Sequence, residues 1–287
     1  MNVSKLSDIE AKPIPRALTG FDELDFIYGY SKFPDRIIWG MPQNKISLWA
    51  GSSGIGKSRL CIDVAKNYSK MGNKVLYILT EAELEDFGSW AKNTSQYETF
   101  YCSGENNLEE IIKIIYHIRP NLLIIDSVNE IEEFESGSKK ETRRLINGTE
   151  NKIGLRKVTN DVGCHTILLG QLNQDGTIKG GTSLPHLVDI ALNLEPRAKD
   201  STCCFTVKVG VKHRYGKRDS AGMWCHYEEG VRCVSDERLN DKIWCESHGL
   251  HYFSSLAERY KYEMSMEEKS VKKNFSIKDS LLSFLGK

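Results

Sequence analysis

Residues 46–58 read "ISLWAGSSGIGKS", a short apolar run followed by a glycine-rich turn. The residues after this turn carry a helical pattern of apolar side chains that stops at Gly72. Within the turn, "GSSGIGKS" (51–58) matches G-x-x-x-x-G-K-[ST] at every fixed position, in the strand–turn–helix context that the motif requires. A chance glycine-rich turn is the alternative, which the agreement of motif and context disfavours. The sequence therefore predicts a P-loop that binds the phosphates of a nucleoside triphosphate.

Glycines in such a loop let backbone N–H groups turn towards phosphate oxygens, at the positive end of the following helix. We expect Lys57 to bridge the β- and γ-phosphates and Ser58 to bind Mg²⁺. The predicted nucleotide-binding residues are Gly51, Ser52, Ser53, Gly54, Ile55, Gly56, Lys57, Ser58 and Arg59.

Repeated strand–loop–helix units follow the loop. Apolar runs typical of parallel strands covered on both faces occur at "KVLYILT" (74–80), "LLIID" (122–126) and "TILLG" (166–170). Shorter connections predict antiparallel strands at "DIALNLE" (189–195), "CFTVKVGVK" (204–212) and "GMWCHYEEG" (222–230). We predict an α/β fold with a mainly parallel central sheet flanked by helices, extended by antiparallel strands near the C-terminus.

Acidic residues follow two of the predicted parallel strands, at the sheet edge where ligands bind in such folds. Asp126 ends a buried strand, the position where a carboxylate completes the magnesium site of P-loop enzymes. A strand-ending or helix-capping role is the alternative. Hydrolysis also needs a group that orients or deprotonates water, and we predict Glu81, directly after its strand, for this role. Glu83 and Glu85 remain alternatives for that carboxylate.

Composition limits the classes of protein to consider. With 287 residues, 40% hydrophobic and 27% charged, the chain is typical of globular proteins. A formal net charge of zero argues against a broadly basic DNA-coating protein but leaves room for a local basic channel. We find no apolar run of membrane-spanning length and no secretory leader. Because the eight cysteines are scattered without a C-x₂-C pair, we expect reduced thiols in a cytoplasmic protein without membrane association.

Six segments, in the same order, resemble the RecA-type ATPases, most closely bacterial RadA (also called Sms) and more distantly the DnaB-type replicative helicases. They are "LTGFDELD" (18–25), "GSSGIGKS" (51–58), "KVLYILTEAE" (74–83), "RPNLLIIDSV" (119–128), "LPHLVDIALNLE" (184–195) and "VKHRYG" (211–216). The resemblance implies a RecA-like core over residues 16–235. It also implies that ATP and Mg²⁺ are the cofactors and that Glu81 is the catalytic glutamate.

Several departures from that family stand out. No cysteine precedes Cys61, so the four-cysteine zinc module of RadA is not expected, and the length leaves no room for its Lon-like domain. A longer insert, "GYSKFPDRIIWGMPQ" (29–43), replaces a glycine run. Ala82 stands where the family has a second glutamate, and Gln171 stands where it has a histidine. We therefore expect the core of the family without its zinc module and its Lon-like domain.

Enzymes of this kind form rings or filaments with nucleotide between subunits, so the resemblance implies a homo-oligomer, with a hexamer expected. One subunit supplies the P-loop, Asp126 and Glu81. Lys212 and Arg214 of the next are implied to reach the γ-phosphate, and their spacing places both side chains on one face of a strand. A DNA-contacting patch and an ordinary solvated edge are the alternatives for this pair.

DNA contacts are also expected from the resemblance. Gln171 is expected to sense the γ-phosphate and to pass its state to the loop "NQDGTIKGGTS" (173–183), which carries Lys179. A first axial loop is expected within residues 132–148. Its cations, expected to follow phosphates without reading sequence, are Lys139, Lys140, Arg143 and Arg144. A solvated helix face is the alternative.

The chain is predicted to divide into an N-terminal arm or linker (1–15), the core (16–235) and a C-terminal helical extension (236–287). Within the extension, "NFSIKDSLLSFLGK" (274–287) is expected to dock on a replication or recombination partner or to pack on its own core. A zinc set is less favoured than free thiols, since only one chelating pair is spaced suitably; its candidates are Cys225, His226, Cys233, Cys245 and His248.

Together these features predict an oligomeric, ATP-hydrolysing motor that depends on single-stranded or branched DNA and acts in recombination or replication, by branch migration or by translocation and unwinding. Two alternatives remain open. One is a single-strand annealing or recombinase-loading protein that uses ATP as an assembly switch. The other is a RecA-fold signalling ATPase with a protein target.

Overall fold

The computed structural model describes most of the chain up to residue 250. The described residues are 12–91, 96–134, 138–173, 177–179, 183–196, 204–216, 220–226, 230–233, 241–250, 252 and 258. Contacts divide the chain into two units, Met1–Ser235 and Asp236–Lys287. Among the described residues, no helix is long and apolar enough to cross a membrane.

The first unit begins with short elements. They are β1 (Arg16–Ala17), α1 (Asp22–Tyr28), β2 (Tyr30–Lys32), β3 (Ile37–Trp39) and β4 (Met41–Pro42). β1 pairs with β4, and β2 pairs with β3, both antiparallel. The insert that distinguishes this chain from the resembled family is therefore structured: it contains a β-hairpin and the strand that covers β1.

The main body follows in alternating strands and helices. Its elements are β5 (Ile46–Gly51), α2 (Lys57–Lys70), β6 (Val75–Leu79), α3 (Leu84–Ala91), β7 (Phe100–Ser103), α4 (Leu108–Ile118), β8 (Leu122–Asp126), α5 (Lys139–Asn147), α6 (Leu155–Val162), β9 (His165–Gln171), α7 (Leu184–Leu187), β10 (Ile190–Pro196), β11 (Cys204–His213), β12 (Ser220–His226) and β13 (Gly230–Cys233). Two 3₁₀ turns, Val128–Glu130 and Glu132–Phe134, follow β8. The second unit contributes α8 (Lys242–His248).

In the described part of the chain, nine strands form one sheet in the order β13-β12-β11-β10-β5-β9-β8-β6-β7. The strands from β10 to β7 are parallel to their neighbours, and β11, β12 and β13 extend the sheet antiparallel. The predicted fold class, a mainly parallel α/β sheet extended by antiparallel strands, is confirmed.

Helices cover both faces of the sheet, which explains the unbroken apolar runs of the parallel strands. Along β8, Leu122 and Ile124 face one buried cluster together with residues of α1 and α2. Leu123 and Ile125 face the opposite cluster, with residues of α4, α5 and α6. Because successive side chains of a strand point to opposite faces, a strand buried on both faces is mostly apolar. The last residue, Asp126, breaks this rule at the edge of the sheet.

Some elements differ from the sequence-based expectation. The polar stretch 130–162, within which an axial loop is expected at 132–148, contains two helices, α5 and α6. Between them the backbone folds back, with the N–H of Thr149 donating to the carbonyl of Lys152 at 2.8 Å. Edge strand β7 and helix α3 were not predicted, because β7 has only 4 residues and α3 only 8.

Candidate nucleotide-binding and catalytic site

The phosphate loop lies between β5, which ends at Gly51, and α2, which begins at Lys57. Gly54 and Gly56 have φ angles of 73° and 105°, which glycine adopts readily and other residues rarely do. A Cβ atom on Gly51 would lie 2.9 Å from the carbonyl oxygen of Leu194, so neighbouring β10 also favours glycine there. The backbone is thus shaped for an anion to approach the N-terminus of α2 closely.

Lys57 is buried beside this loop, with 8% of its surface exposed. Its Nζ donates to the carbonyl oxygens of Gly51 and Ser52, each at 2.9 Å. Burial lowers the pKa of Lys57, while the nearby carboxylates of Asp126 and Glu81 act in the opposite direction. The lysine is therefore held by its own loop, and a bound phosphate would have to replace these two carbonyls as its partners.

The donor set expected for Mg²⁺ lies next to Lys57. Asp126, at the end of β8, accepts hydrogen bonds from the hydroxyl of Ser58 and, at 2.7 Å, from the hydroxyl of Tyr77. Burial raises the pKa of Asp126, and these two donors oppose the rise. A hydroxyl and a carboxylate in direct contact offer the oxygen ligands that Mg²⁺ prefers. The residues present fit the predicted ion.

Glu81 and Gln171, predicted from separate strand ends, are brought together by the sheet. Oε1 of Glu81 accepts hydrogen bonds from the Ser127 hydroxyl and from Nε2 of Gln171, the latter at 2.8 Å. The alternatives Glu83 and Glu85 are exposed around the start of α3. A carboxylate with two donors and one exposed side is suited to holding a water molecule beside the loop.

Asn129 connects Gln171 to the following loop. Its side-chain oxygen accepts the backbone N–H of Gln171 at 3.0 Å, and its side-chain nitrogen donates to the carbonyl of Lys179. The N–H of Lys179 in turn donates to the carbonyl of Gln171 at 2.8 Å. Nζ of Lys179 lies 3.6 Å from Oε1 of Glu130. A change at Gln171 would therefore be transmitted directly to this loop.

Three of these contact residues, Tyr77, Ser127 and Asn129, were not predicted from the sequence. Tyr77 had a visible signal, since a hydroxyl in an otherwise apolar buried strand requires a hydrogen-bond partner. Ser127 and Asn129 directly follow the predicted metal ligand, but nothing in their spacing distinguishes them from loop residues. Their roles depend on which strands are neighbours in the sheet.

Lys212 and Arg214 lie at the opposite edge of the sheet, where the parallel strands begin, whereas the phosphate loop lies where they end. Lys212 is near the end of β11, where its Nζ donates to the carbonyl oxygen of His186 at 2.7 Å. Burial, followed by the nearby charge of Arg214, lowers the pKa of Lys212. Arg214 follows the end of β11 and is exposed. The structure keeps the two cations together and away from the phosphate loop of their own chain.

Strand register gives the size of this separation. On β10, Leu194 lies beside Gly51 of the phosphate loop, and Ile190 lies beside His213. These two levels are four residues apart on one strand, which corresponds to roughly 13 Å along the strand direction. Two strand spacings, roughly 10 Å, separate β11 from β5 laterally.

A basic face covers the exposed side of α5. Its buried side consists of Thr142, Leu145 and Ile146, and a capping box of Ser138 and Glu141 fixes its start. The exposed cations are Lys139, Lys140, Arg143 and Arg144, which with Gly148 and Thr149 line a cleft of about 570 Å³. Among the residues that the structure describes, none of these four cations has an ion-pair partner.

The remaining predicted sites are described only in part. Within the described residues, no three metal-ligating side chains lie together. Cys245 is a buried thiol, and Nδ1 of His248 lies 2.9 Å from the carbonyl oxygen of Trp244. The side chains of Cys225, His226 and Cys233 lie outside the described part, as does the tail (274–287).

No protein-family model matches this sequence. Curated relatives do match: the DNA repair protein RadA of Mycolicibacterium smegmatis is 29% identical over 223 residues, 76% of this chain and 45% of that protein. RadA of Chlamydia trachomatis is 26% identical over 85% of this chain and 54% of that protein, and RadA of Escherichia coli is 26% identical over 82% and 48%.

The chain thus spans about half the length of the curated relatives it matches. The similarity accompanies a strand–loop–helix candidate phosphate site, an acidic strand end and a mainly parallel sheet, all features expected of the RecA superfamily. The chain is a distant homologue of the bacterial DNA repair proteins named RadA, which are ATPases of the RecA superfamily.

Proposed function

We propose that this protein is an oligomeric, Mg²⁺-dependent ATPase that hydrolyses ATP between neighbouring subunits and acts on single-stranded or branched DNA in recombination or replication. One observation carries the proposal. The edge of the sheet where the parallel strands end carries the phosphate loop, Asp126, Glu81 and Gln171. The opposite edge, where the parallel strands begin, carries Lys212 and Arg214. The complete set of groups for phosphoryl transfer thus requires two chains.

Each residue has a role in this reaction. Backbone N–H groups of the loop and Lys57 bind the β- and γ-phosphates, and Ser58 and Asp126 hold Mg²⁺, which neutralises charge on those phosphates. Glu81 accepts a proton from the attacking water, and Gln171, hydrogen-bonded to Glu81, adjusts to the presence of the γ-phosphate. The departure of the phosphate is then transmitted through Gln171 to the loop that carries Lys179.

Arg214 and Lys212 supply the cations from the adjacent subunit. A side chain of either residue extends about 6–7 Å, which is too short to bridge a separation of roughly 13 Å along the strands and two strand spacings across them. An arginine supplied in trans contributes about 10³–10⁵-fold to the rate of phosphoryl transfer. Arg214, exposed at its sheet edge, is the better candidate for this contribution.

Two inactive variants test this arrangement. We expect Lys57→Ala to abolish nucleotide use in its own chain, and Arg214→Ala to bind ATP but to lose about 10³-fold or more in turnover. Mixing the two should restore activity, because one class of interface then combines an intact phosphate loop with an intact arginine. Absence of recovery, with subunit exchange shown by native mass spectrometry, would rule out the in-trans role.

The basic face of α5 supports the DNA part of the proposal. Four exposed cations on one helix face, without described ion-pair partners, form a local positive surface on a chain of zero net charge. Such a surface follows phosphates rather than bases. Lys179, partly engaged by Glu130, would contribute less than these four.

Binding measurements at several salt concentrations test this surface. Each phosphate contact to single-stranded DNA contributes about 0.7 to the slope of log K against log [salt]. Arg143→Ala combined with Arg144→Ala should therefore lower the slope by about 1.4. As a matched control, Lys157→Ala removes an exposed cation that is paired with Asp161 at 2.8 Å, and should leave the slope unchanged.

Turnover measurements then separate the candidate functions. The motor predicts that single-stranded DNA stimulates ATP hydrolysis at low salt. Strand annealing with turnover that DNA does not change would instead support an annealing or loading protein. ATP-dependent rings without DNA affinity would support a signalling ATPase.

A further inference from the structure

In the segment 212–216, "KHRYG", the side chains on either side of Arg214 are anchored, whereas Arg214 itself is exposed. Nε2 of His213 donates to the carbonyl oxygen of Ile27, the penultimate residue of α1, at 2.9 Å. The ring of Tyr215 receives the ammonium group of Lys45 at 5.0 Å from its centre. Arg214, between them, is exposed. Arg214 lies just past the end of β11, where the chain bends, so the anchored side chains of His213 and Tyr215 hold the backbone on both sides of it.

Gly216 brings this segment into backbone contact with the end of α1. A Cβ atom at Gly216 would lie 2.4 Å from the carbonyl oxygen of Ile27 and 2.5 Å from that of Tyr28. On the other side of the contact, Gly29 has a φ angle of 80°, and a Cβ atom there would lie 2.7 Å from the Cα of Gly216. Gly29 and Gly216 allow these two segments of the chain to approach more closely than any residue with a Cβ atom would permit.

Arg16 fastens this contact. Its guanidinium group donates to the carbonyl oxygen of Tyr215 at 2.5 Å and to those of Tyr28 and Gly40, each at 2.8 Å. Its Nε donates to the hydroxyl of Ser31, also at 2.8 Å. Burial lowers the pKa of Arg16 to about 10, so the group remains charged at neutral pH. One side chain thus joins the end of α1, the hairpin β2–β3 and the segment 212–216.

We propose that Arg16 is a positioning residue for Arg214: through the carbonyl of Tyr215 it fixes the backbone from which Arg214 reaches the neighbouring subunit's ATP. This inference rests on the in-trans role proposed above. Arg214 has no described ion-pair partner of its own, so its direction is set by the backbone on either side of it. Lys212 is held separately by the carbonyl of His186.

The geometry also explains the insert. Residues 29–43 supply two of the four acceptors of Arg16, the hydroxyl of Ser31 and the carbonyl oxygen of Gly40, and Gly29 of the same insert lies against Gly216. A plain glycine run would offer no hydroxyl at this position and no hairpin to hold one. The hairpin therefore stabilises the position of Arg16, which in turn binds the segment 212–216 that carries Arg214.

A directional mixing experiment tests the proposal. The parental mixture combines Lys57→Ala, which supplies only Arg214, with Arg214→Ala, which supplies only the phosphate loop. Arg16→Ala is then added to one partner or to the other. Added to the Lys57→Ala chain, it should lower the turnover of the mixture about 10–100-fold, the cost of displacing a reacting group by roughly 1 Å. The KM for ATP should change less than about twofold, since the phosphate loop is untouched.

Added to the Arg214→Ala chain, Arg16→Ala should leave the turnover of the mixture within about twofold of the parental value. Equal losses in both placements, or no loss in either, would overturn the positioning role, because a general structural effect does not depend on which chain carries it. An inactive parental mixture with confirmed exchange would overturn the in-trans proposal itself, so the two failures are distinguishable.

Two further variants guard against misfolding. Arg16→Lys keeps the positive charge, but its single nitrogen has three donors and cannot reach four acceptors on three segments; it should show the same asymmetry with a smaller loss. Ser31→Ala removes one bond of Arg16 and keeps the bond to Tyr215, so both placements should retain most of the parental turnover. A loss from Ser31→Ala as large as that from Arg16→Ala would contradict the proposal.

Discussion

Replacing Asp25 with asparagine should change how the stability of this protein depends on pH. Asp25 lies on α1 with 2% of its surface exposed, and its Oδ1 accepts the N–H of Thr19 at 2.8 Å. Burial raises the pKa of Asp25 from 3.8 to about 7. Between these values the native protein holds a proton that the unfolded chain has released. The contribution of Asp25 is therefore complete below about pH 4 and is lost as the pH rises through 7.

His165 acts in the opposite direction. Burial lowers the pKa of its ring from 6.5 to about 4, so its contribution is present above pH 6.5 and is lost as the pH falls through 4. From pH 5 to pH 8, Asp25 lowers the free energy of unfolding by about 3 kcal/mol, and His165 raises it by about 2 kcal/mol. These two changes in the free energy of unfolding nearly cancel in the unmodified protein. In Asp25→Asn only the pH dependence that comes from His165 remains of this pair.

Urea denaturation of both proteins at pH 5, 6, 7 and 8 measures this effect. The free energy of unfolding of Asp25→Asn, minus that of the unmodified protein, should increase by about 3 kcal/mol from pH 5 to pH 8. Asparagine retains an oxygen for the N–H of Thr19, and any constant cost of the amide cancels between pH values. Asp35→Asn, at an exposed carboxylate, is the matched control. A difference that stays constant within about 0.5 kcal/mol would refute the reasoning.

Two other substitutions give direct tests of contacts described above. Tyr77→Phe removes the donor that stabilises ionised Asp126 and should raise the pKa of that carboxyl. Protons then compete better with Mg²⁺ for this carboxylate. In a fluorescent-nucleotide titration, the nucleotide concentration needed for half-maximal binding should therefore rise more at pH 6 than at pH 8. An equal rise at both pH values would argue against this mechanism. Gly216→Ala places a methyl group 2.1 Å from the ring of His213 and should lower the free energy of unfolding by about 1–3 kcal/mol in urea. Gly88→Ala, where the methyl group meets no atom within 4 Å, should not lower it, and similar losses in both would remove the steric explanation.

The parallel sheet and its strand ends could be predicted because their signals are local. Strand β8 is apolar until its last residue, Asp126, the other central strands are mainly apolar, and parallel strands place their ends at one edge. That Glu81 and Gln171, 90 residues apart, lie at the same edge follows from that rule, whereas their contact depends on the strand order. The positions were predictable although the hydrogen bonds were not.

The contacts around Arg16 could not be predicted in this way. Arg16 and Tyr215 are 199 residues apart, and nothing in "PIPRAL" distinguishes this arginine from a solvated one. Its partners are mostly backbone carbonyls, which every residue has, so side-chain identity carries no information about them. The hairpin β2–β3 was hidden for a related reason. Pro34, Gly40 and Pro42 indicate turns, whereas nothing local indicates that Ser31 pairs with Ile38 or that Trp39 of the hairpin stacks on Phe26 of α1.

The placement of the phosphate loop and Arg214 at opposite edges gives each subunit two unlike ends. In the proposed arrangement, every active site consumes one end of each kind, so the contact is head-to-tail. An open row of subunits then has one site fewer than it has members, and a lone subunit has none. A closed ring has as many sites as members. Turnover per subunit should accordingly be zero when dilution leaves isolated subunits, and half its limiting value in a pair. It should become independent of assembly size only when the row closes into a ring.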